Sequence, residues 1–174
     1  MFHELGHMFQ DDVWTWEGTG EVTVNIFTLH AMEVICGIKP WLHPWFEGFD
    51  CARKYFQSGP TYEAWKSQPR LALYMYAQLA RDFSWESFKT VFLIYNHMPE
   101  DEKPSDDIEK LSKWIVVFSQ AVNHNLCPFY EFWGLPVEDY MKKMVEHLTP
   151  YQPIDEITTE IAVKRSREIL HLDL

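Results

Sequence analysis

His3-Glu4-Leu5-Gly6-His7, followed by Gly18-Thr19-Gly20-Glu21-Val22-Thr23-Val24-Asn25, is the stretch from which the rest of the chain is read. The first five residues spell H-E-x-x-H. On a helix, residues four apart lie about 40° apart around the axis and about 6 Å along it, so both imidazoles face one side and can bind a single metal ion. Glu4 sits at the edge of that face, where a carboxylate can take a proton from water that zinc has made acidic. Glu21, beyond the Gly-Thr-Gly turn, is an acidic residue placed to complete the ligand set, with the fourth coordination position left for water.

With eight histidines in 174 residues, an H-E-x-x-H arises by chance with a probability of roughly 3%, so the neighbours must decide between a metal site and a surface helix with two solvated imidazoles. They favour the metal. Leu5 and Met8-Phe9 supply an apolar side on which the helix can bury, and Gly6 admits close approach of another backbone or of a substrate.

The composition sets bounds. At 47% hydrophobic and 16% aromatic residues the chain can bury a sizeable core in one domain. A net charge of −11, from 15 Lys+Arg against 26 Asp+Glu, excludes the basic footprint that nucleic acid or an anionic membrane requires. Cys36, Cys51 and Cys127 form no C-x-x-C pair, which fits a reducing compartment. No apolar run reaches the roughly 18 residues of a membrane span, and no export signal opens the chain. The expected location is the cytoplasm or the periphery of the plasma membrane. Because His3 has only Met1 and Phe2 ahead of it, the chain is expected to be the C-terminal part of a longer protein, weakly active by itself.

Nearly every segment shows helical spacing. The first helix is predicted to end near Gln10, and Thr19 to cap a second that runs to Cys36, with Gly37 as its stop. Trp45 to Gln57 follows the Pro40 to Pro44 turn as a short helix, and another element starts at Thr61. Arg70 to Arg81 carries a stripe of Leu71, Tyr74, Met75, Gln78 and Leu79, after which Ser84 caps a helix through Asn96. Ser105 is predicted to cap a helix with Ile108, Leu111, Ile115, Phe118, Val122 and Leu126 on one face. Phe129 to Trp133 reads as a short turn, Leu135-Pro136 opens another helix, and a tail over 150–174 contains a last helix at about 155–170. The fold class is mostly α: residues 1–149 as one helical unit, beginning at the active-site helix, and 150–174 as a tail.

His3-Glu-Leu-Gly-His7-Met-Phe-Gln10, Trp14-Thr-Trp16 and Gly18-Thr-Gly-Glu21-Val-Thr-Val-Asn25-Ile-Phe together resemble the enhancin-like and mucin-degrading gluzincins, metallopeptidase family sixty. Ser58-Gly-Pro60, Trp85-Glu-Ser-Phe88, Lys113-Trp114 with Phe118-Ser119, and Asn125-Leu-Cys-Pro-Phe129-Tyr-Glu-Phe-Trp133 are similar to its animal branch, the TRP-channel-associated factors. The resemblance covers about residues 2 to 148. It implies a zincin domain of which this is the helical half, with Zn2+ held by His3, His7 and Glu21 and with Glu4 as general base. Glu17 and the more distant Glu33 compete for the third ligand position; Glu21 is preferred because a carboxylate at a helix start is held by that helix's backbone.

The resemblance also implies that Asn25, one turn after Glu21, orients a ligand or a substrate carbonyl, or else packs the helix. Trp14 and Trp16 are open to stacking on a substrate sugar or to core packing. None of His30, His43, His97, His124, His147 and His171 is singled out as catalytic. Two functions follow: a zinc endopeptidase acting on peptides or glycopeptides, and a non-catalytic module that binds an ion channel and alters its delivery to the membrane.

Overall fold

Helix α5 (Pro69–Asn96) is the centre of the computed structural model, which describes residues 2–46 and 50–152. Its first half is apolar on every side, and Leu71 through Ala80 are all buried. A helix without a polar face must be surrounded. The helices around it are α1 (Phe2–His7), α2 (Gly20–Cys36), α3 (Asp50–Gln57), α4 (Tyr62–Lys66), α6 (Asp107–Val122), α7 (Cys127–Phe132) and α8 (Asp139–Val145). Helices α2, α4 and α6 pack directly on α5, and α1 packs on α2. The mostly α fold class expected from periodicity is the one observed.

Aromatic rings fill the space between helices. Trp114 on α6 lies against Trp14, Tyr76, Phe92, Tyr95 and Phe118, with ring centroids 5.6–6.3 Å away. Trp133, beyond α7, donates its indole N–H to the buried Gln78 side chain at 3.0 Å, so the one amide on the apolar half of α5 has a partner.

Several element boundaries differ from the sequence expectation, each for a local reason. α1 ends at His7 rather than Gln10, because Met8 and Phe9 close tighter turns onto Leu5 and Gly6. Thr19 precedes α2 but does not cap it: its hydroxyl accepts from Trp16 N and donates to Trp16 O, closing the preceding turn. α6 is capped by Asp106, whose carboxylate accepts from Glu109 N at 2.9 Å, while Glu109 reaches back to Ser105 N and Oγ. It stops at Val122, where Asn123 turns left-handed (φ 54°, ψ 37°), so Leu126 lies outside it. Residues 127–132 form a helix rather than a turn, with Pro128 in the first turn where its missing N–H costs nothing.

Instead of one helix over 45–57, a 3-10 turn at Pro44–Phe46 precedes α3. α8 starts at Asp139, not at Leu135. A feature no periodicity announces is a two-residue parallel pair, β1 (His124–Asn125) with β2 (Thr149–Pro150). Tyr151 continues it, packing its ring on Phe83 and donating its hydroxyl to Asp82. The helix expected over 155–170 lies outside the described residues.

Candidate metal centre

The site is made where α1 lies across the start of α2. Gly6 permits this: a Cβ there would meet both the side chain and the carbonyl oxygen of Val24 at 2.8 Å. With α1 held so close, the His3 and His7 rings stand edge to face, centroids 4.8 Å apart, above the first turn of α2. His3 Nε2 is 3.3 Å from one Glu21 carboxylate oxygen and His7 Nε2 is 3.9 Å from the other. One ligand atom from each of the three residues falls within 4.8 Å of the others. Donors on one tetrahedral zinc, at about 2.05 Å from it, stand about 3.3 Å apart, so the His3–Glu21 spacing already suits a shared ion and the wider ones, within 4.8 Å, must close for all three to bind it.

The far nitrogen of each ring is held by a side-chain amide. His3 Nδ1 faces Asn25 Oδ1 at 3.0 Å, and Asn25 Nδ2 donates to Glu21 O at 2.8 Å. His7 Nδ1 faces Gln10 Oε1 at 2.6 Å, and Gln10 Nε2 donates to Gly20 O and Thr23 Oγ1. Each Nδ1 therefore points at an oxygen and carries the hydrogen, so both Nε2 lone pairs point toward the Glu21 carboxylate. Three lone-pair donors facing one another repel unless a positive charge, a proton on a ring or a metal ion, stands between them. The donor set, two imidazoles and a carboxylate, suits Zn2+.

Of the competing carboxylates, Glu17 pairs with Lys66 at 3.5 Å. Glu33 accepts from Trp85 Nε1 at 2.7 Å and pairs with Lys39. Burial pushes the Glu33 carboxyl up, but these two hydrogen bonds, with the charges of Lys39 and His30, outweigh it and hold the group below the usual carboxylate range. Neither residue joins the histidines. Glu4 is exposed on α1 next to His3, and among the described residues its side chain makes no hydrogen bond or ion pair. Trp14 and Trp16 are 3% and 2% exposed, which gives them core packing rather than a sugar-stacking surface.

The remaining described histidines serve local structure where they have partners. His30 abuts Trp85, and His43 accepts from Trp45 N. His97 and His124 each bring Nδ1 to a nearby main-chain carbonyl. Gln10 is the participant that sequence reading missed. Its one signal is its place three residues after His7.

Residues 1–134 match the family described as Peptidase M60, enhancin and enhancin-like. A TRPM8 channel-associated factor homolog from Danio rerio is 35% identical over 151 residues, covering 84% of this chain and 16% of that protein. TRPM8 channel-associated factor 2 from Bos taurus is 34% identical, with 78% of this chain and 15% of that protein covered. The chain thus spans about a sixth of the length of these relatives. Among solved structures, a functionally unknown conserved protein from Bacillus anthracis str. Ames superposes with a TM-score of 0.72 at 28% identity, over 90% of this chain and 32% of that one. With the family match spanning the candidate centre and most of the described helices, this chain belongs to the peptidase M60, enhancin and enhancin-like family.

Proposed function

We propose that this chain carries the zinc site and general base of an endopeptidase that hydrolyses peptides, glycosylated ones included. The observation that supports this reading is the convergence of His3, His7 and Glu21 at ligand spacing. Zinc held by those side chains supplies Lewis acidity, which makes water a competent nucleophile near neutral pH and polarises a carbonyl oxygen. Glu4, about 100° around α1 from His3, takes the proton shed by the attacking water and passes it to the departing amine. Its exposure, and the lack of a competing partner among the described residues, leave the carboxylate free to do so.

A second reading comes from the relatives, whose names tie them to the TRPM8 channel. In it the chain contributes to binding an ion channel, and the metal centre has a structural role. One set of variants separates the two. In the enzyme reading the protein binds zinc stoichiometrically; Glu4→Gln keeps the zinc and loses about 10²–10⁴-fold in peptide hydrolysis, whereas His7→Ala loses both. Channel co-precipitation that survives both substitutions, from a parent protein with no hydrolysis to lose, supports the second reading and rejects the first.

A further inference from the structure

We propose that Gln10 is a positioning residue for the metal centre: its amide fixes His7 as the Nδ1–H tautomer and ties that ring to the first turn of α2. The proposal rests on the zinc reading above and adds a residue to it.

The polarity of the amide is set by groups that cannot reverse theirs. Gly20 O is only an acceptor, and it lies 2.6 Å from Gln10 Nε2. Thr23 Oγ1, 2.7 Å from the same nitrogen, already donates to Thr19 O at 3.1 Å and so receives from Gln10 through its lone pairs. Turning the amide over would press its carbonyl against Gly20 O. The oxygen end must therefore face His7, 2.6 Å from Nδ1. Hydrogen donation runs one way, from His7 through Gln10 and Thr23 to the Thr19 carbonyl. His7 Nδ1 has to hold a hydrogen, and in the neutral ring, the form that binds a metal, Nε2 then presents its lone pair toward Glu21.

His7 needs this support more than His3 does. It is the last residue of a six-residue helix, where the backbone gives least control over a side chain. His3 is held by Asn25, which is itself part of α2, while the Gln10 bridge spans from the turn after α1 to two points at the start of α2. A ligand locked in position and tautomer before the ion arrives binds it without losing that freedom on binding.

Two variants of the full chain separate this role from simple anchoring. Gln10→Met and Gln10→Glu both remove the donors to Gly20 O and Thr23 Oγ1, but Gln10→Glu keeps an acceptor for His7 Nδ1–H. Zinc affinity, measured by competition with a chelating dye, should fall about 10–100-fold in Gln10→Met and by clearly less in Gln10→Glu, which keeps the acceptor although its second carboxylate oxygen meets Gly20 O. Nitrogen-15 NMR of the zinc-free, unsubstituted chain should find the hydrogen of His7 on Nδ1. A parent chain that takes up no zinc defeats the metal reading, while the NMR assignment still decides the claim about His7. Equal zinc affinity in Gln10→Met and the parent, an equal loss in both variants, or His7 carrying its hydrogen on Nε2, overturns the role of Gln10.

Discussion

A single missing carbon, at Gly6, sets how closely α1 approaches α2. A methyl group at that position would lie 2.8 Å from Val24 Cγ2 and from Val24 O, and the carbonyl cannot move without disturbing α2. Gly6→Ala should destabilise the fold by about 1–3 kcal/mol, read from urea unfolding, and should weaken zinc binding at the same time, since lifting α1 carries both imidazoles away from Glu21. His3, Glu4 and His7 are legible in sequence because helical spacing is simple arithmetic. Glu21 is preferred over Glu17 and Glu33 for its place at a helix start; what holds the other two elsewhere is not legible, because Lys66 and Trp85 arrive from α4 and α5. Gln10 was illegible for a related reason: the groups that fix its amide, Gly20 O and Thr23 Oγ1, arrive from the start of α2.

Among the elements, α5 carries a defect in its middle. Ser84 sits at φ 64°, ψ 169°, a backbone region that residues other than glycine rarely occupy. Its neighbours impose it. Phe83 is packed against His124 and Tyr151, Asp82 receives the Tyr151 hydroxyl, and Trp85 is tied to Glu33. Ser84→Gly should therefore stabilise the protein by about 1 kcal/mol in chemical denaturation, whereas Ser84→Ala should give no gain, because the strain lies in the backbone and the side chain is exposed. The interruption itself was legible, since a polar residue breaks the apolar stripe there. The cap of α6 was misplaced by one residue because Ser105 and Asp106 are both good capping types, and only the reach to Glu109 N selects between them.

For the molecule as a whole, two half-hidden imidazoles set the response to mild acid. His43 is 6% exposed and accepts a hydrogen bond from Trp45 N at its Nδ1. Burial lowers its pKa below 6.5. Burial, followed by the charge of Lys89, does the same for His30. The folded state thus favours both rings neutral, so their contribution to stability is complete above about pH 6.5, declines below it as the unfolded chain takes up protons first, and is lost once pH falls through the lower folded pKa values. Melting temperature should drop between about pH 7.5 and 5.5, and His43→Phe should show a shallower slope over that range whatever its absolute stability. The mostly α architecture was legible because long amphipathic repeats carry a strong signal. The β1–β2 pair was not, since two residues are too few to show a period.

The partners behind the His3 and His7 imidazoles are amides rather than carboxylates. A carboxylate in that position pushes electron density into the ring and makes it a stronger base. Neutral Asn25 and Gln10 push less, and they add no negative charge to a centre whose own acid is Glu21. On the zinc reading, a divalent ion held there would keep more of its electrophilic character, favouring reactivity at the expense of grip.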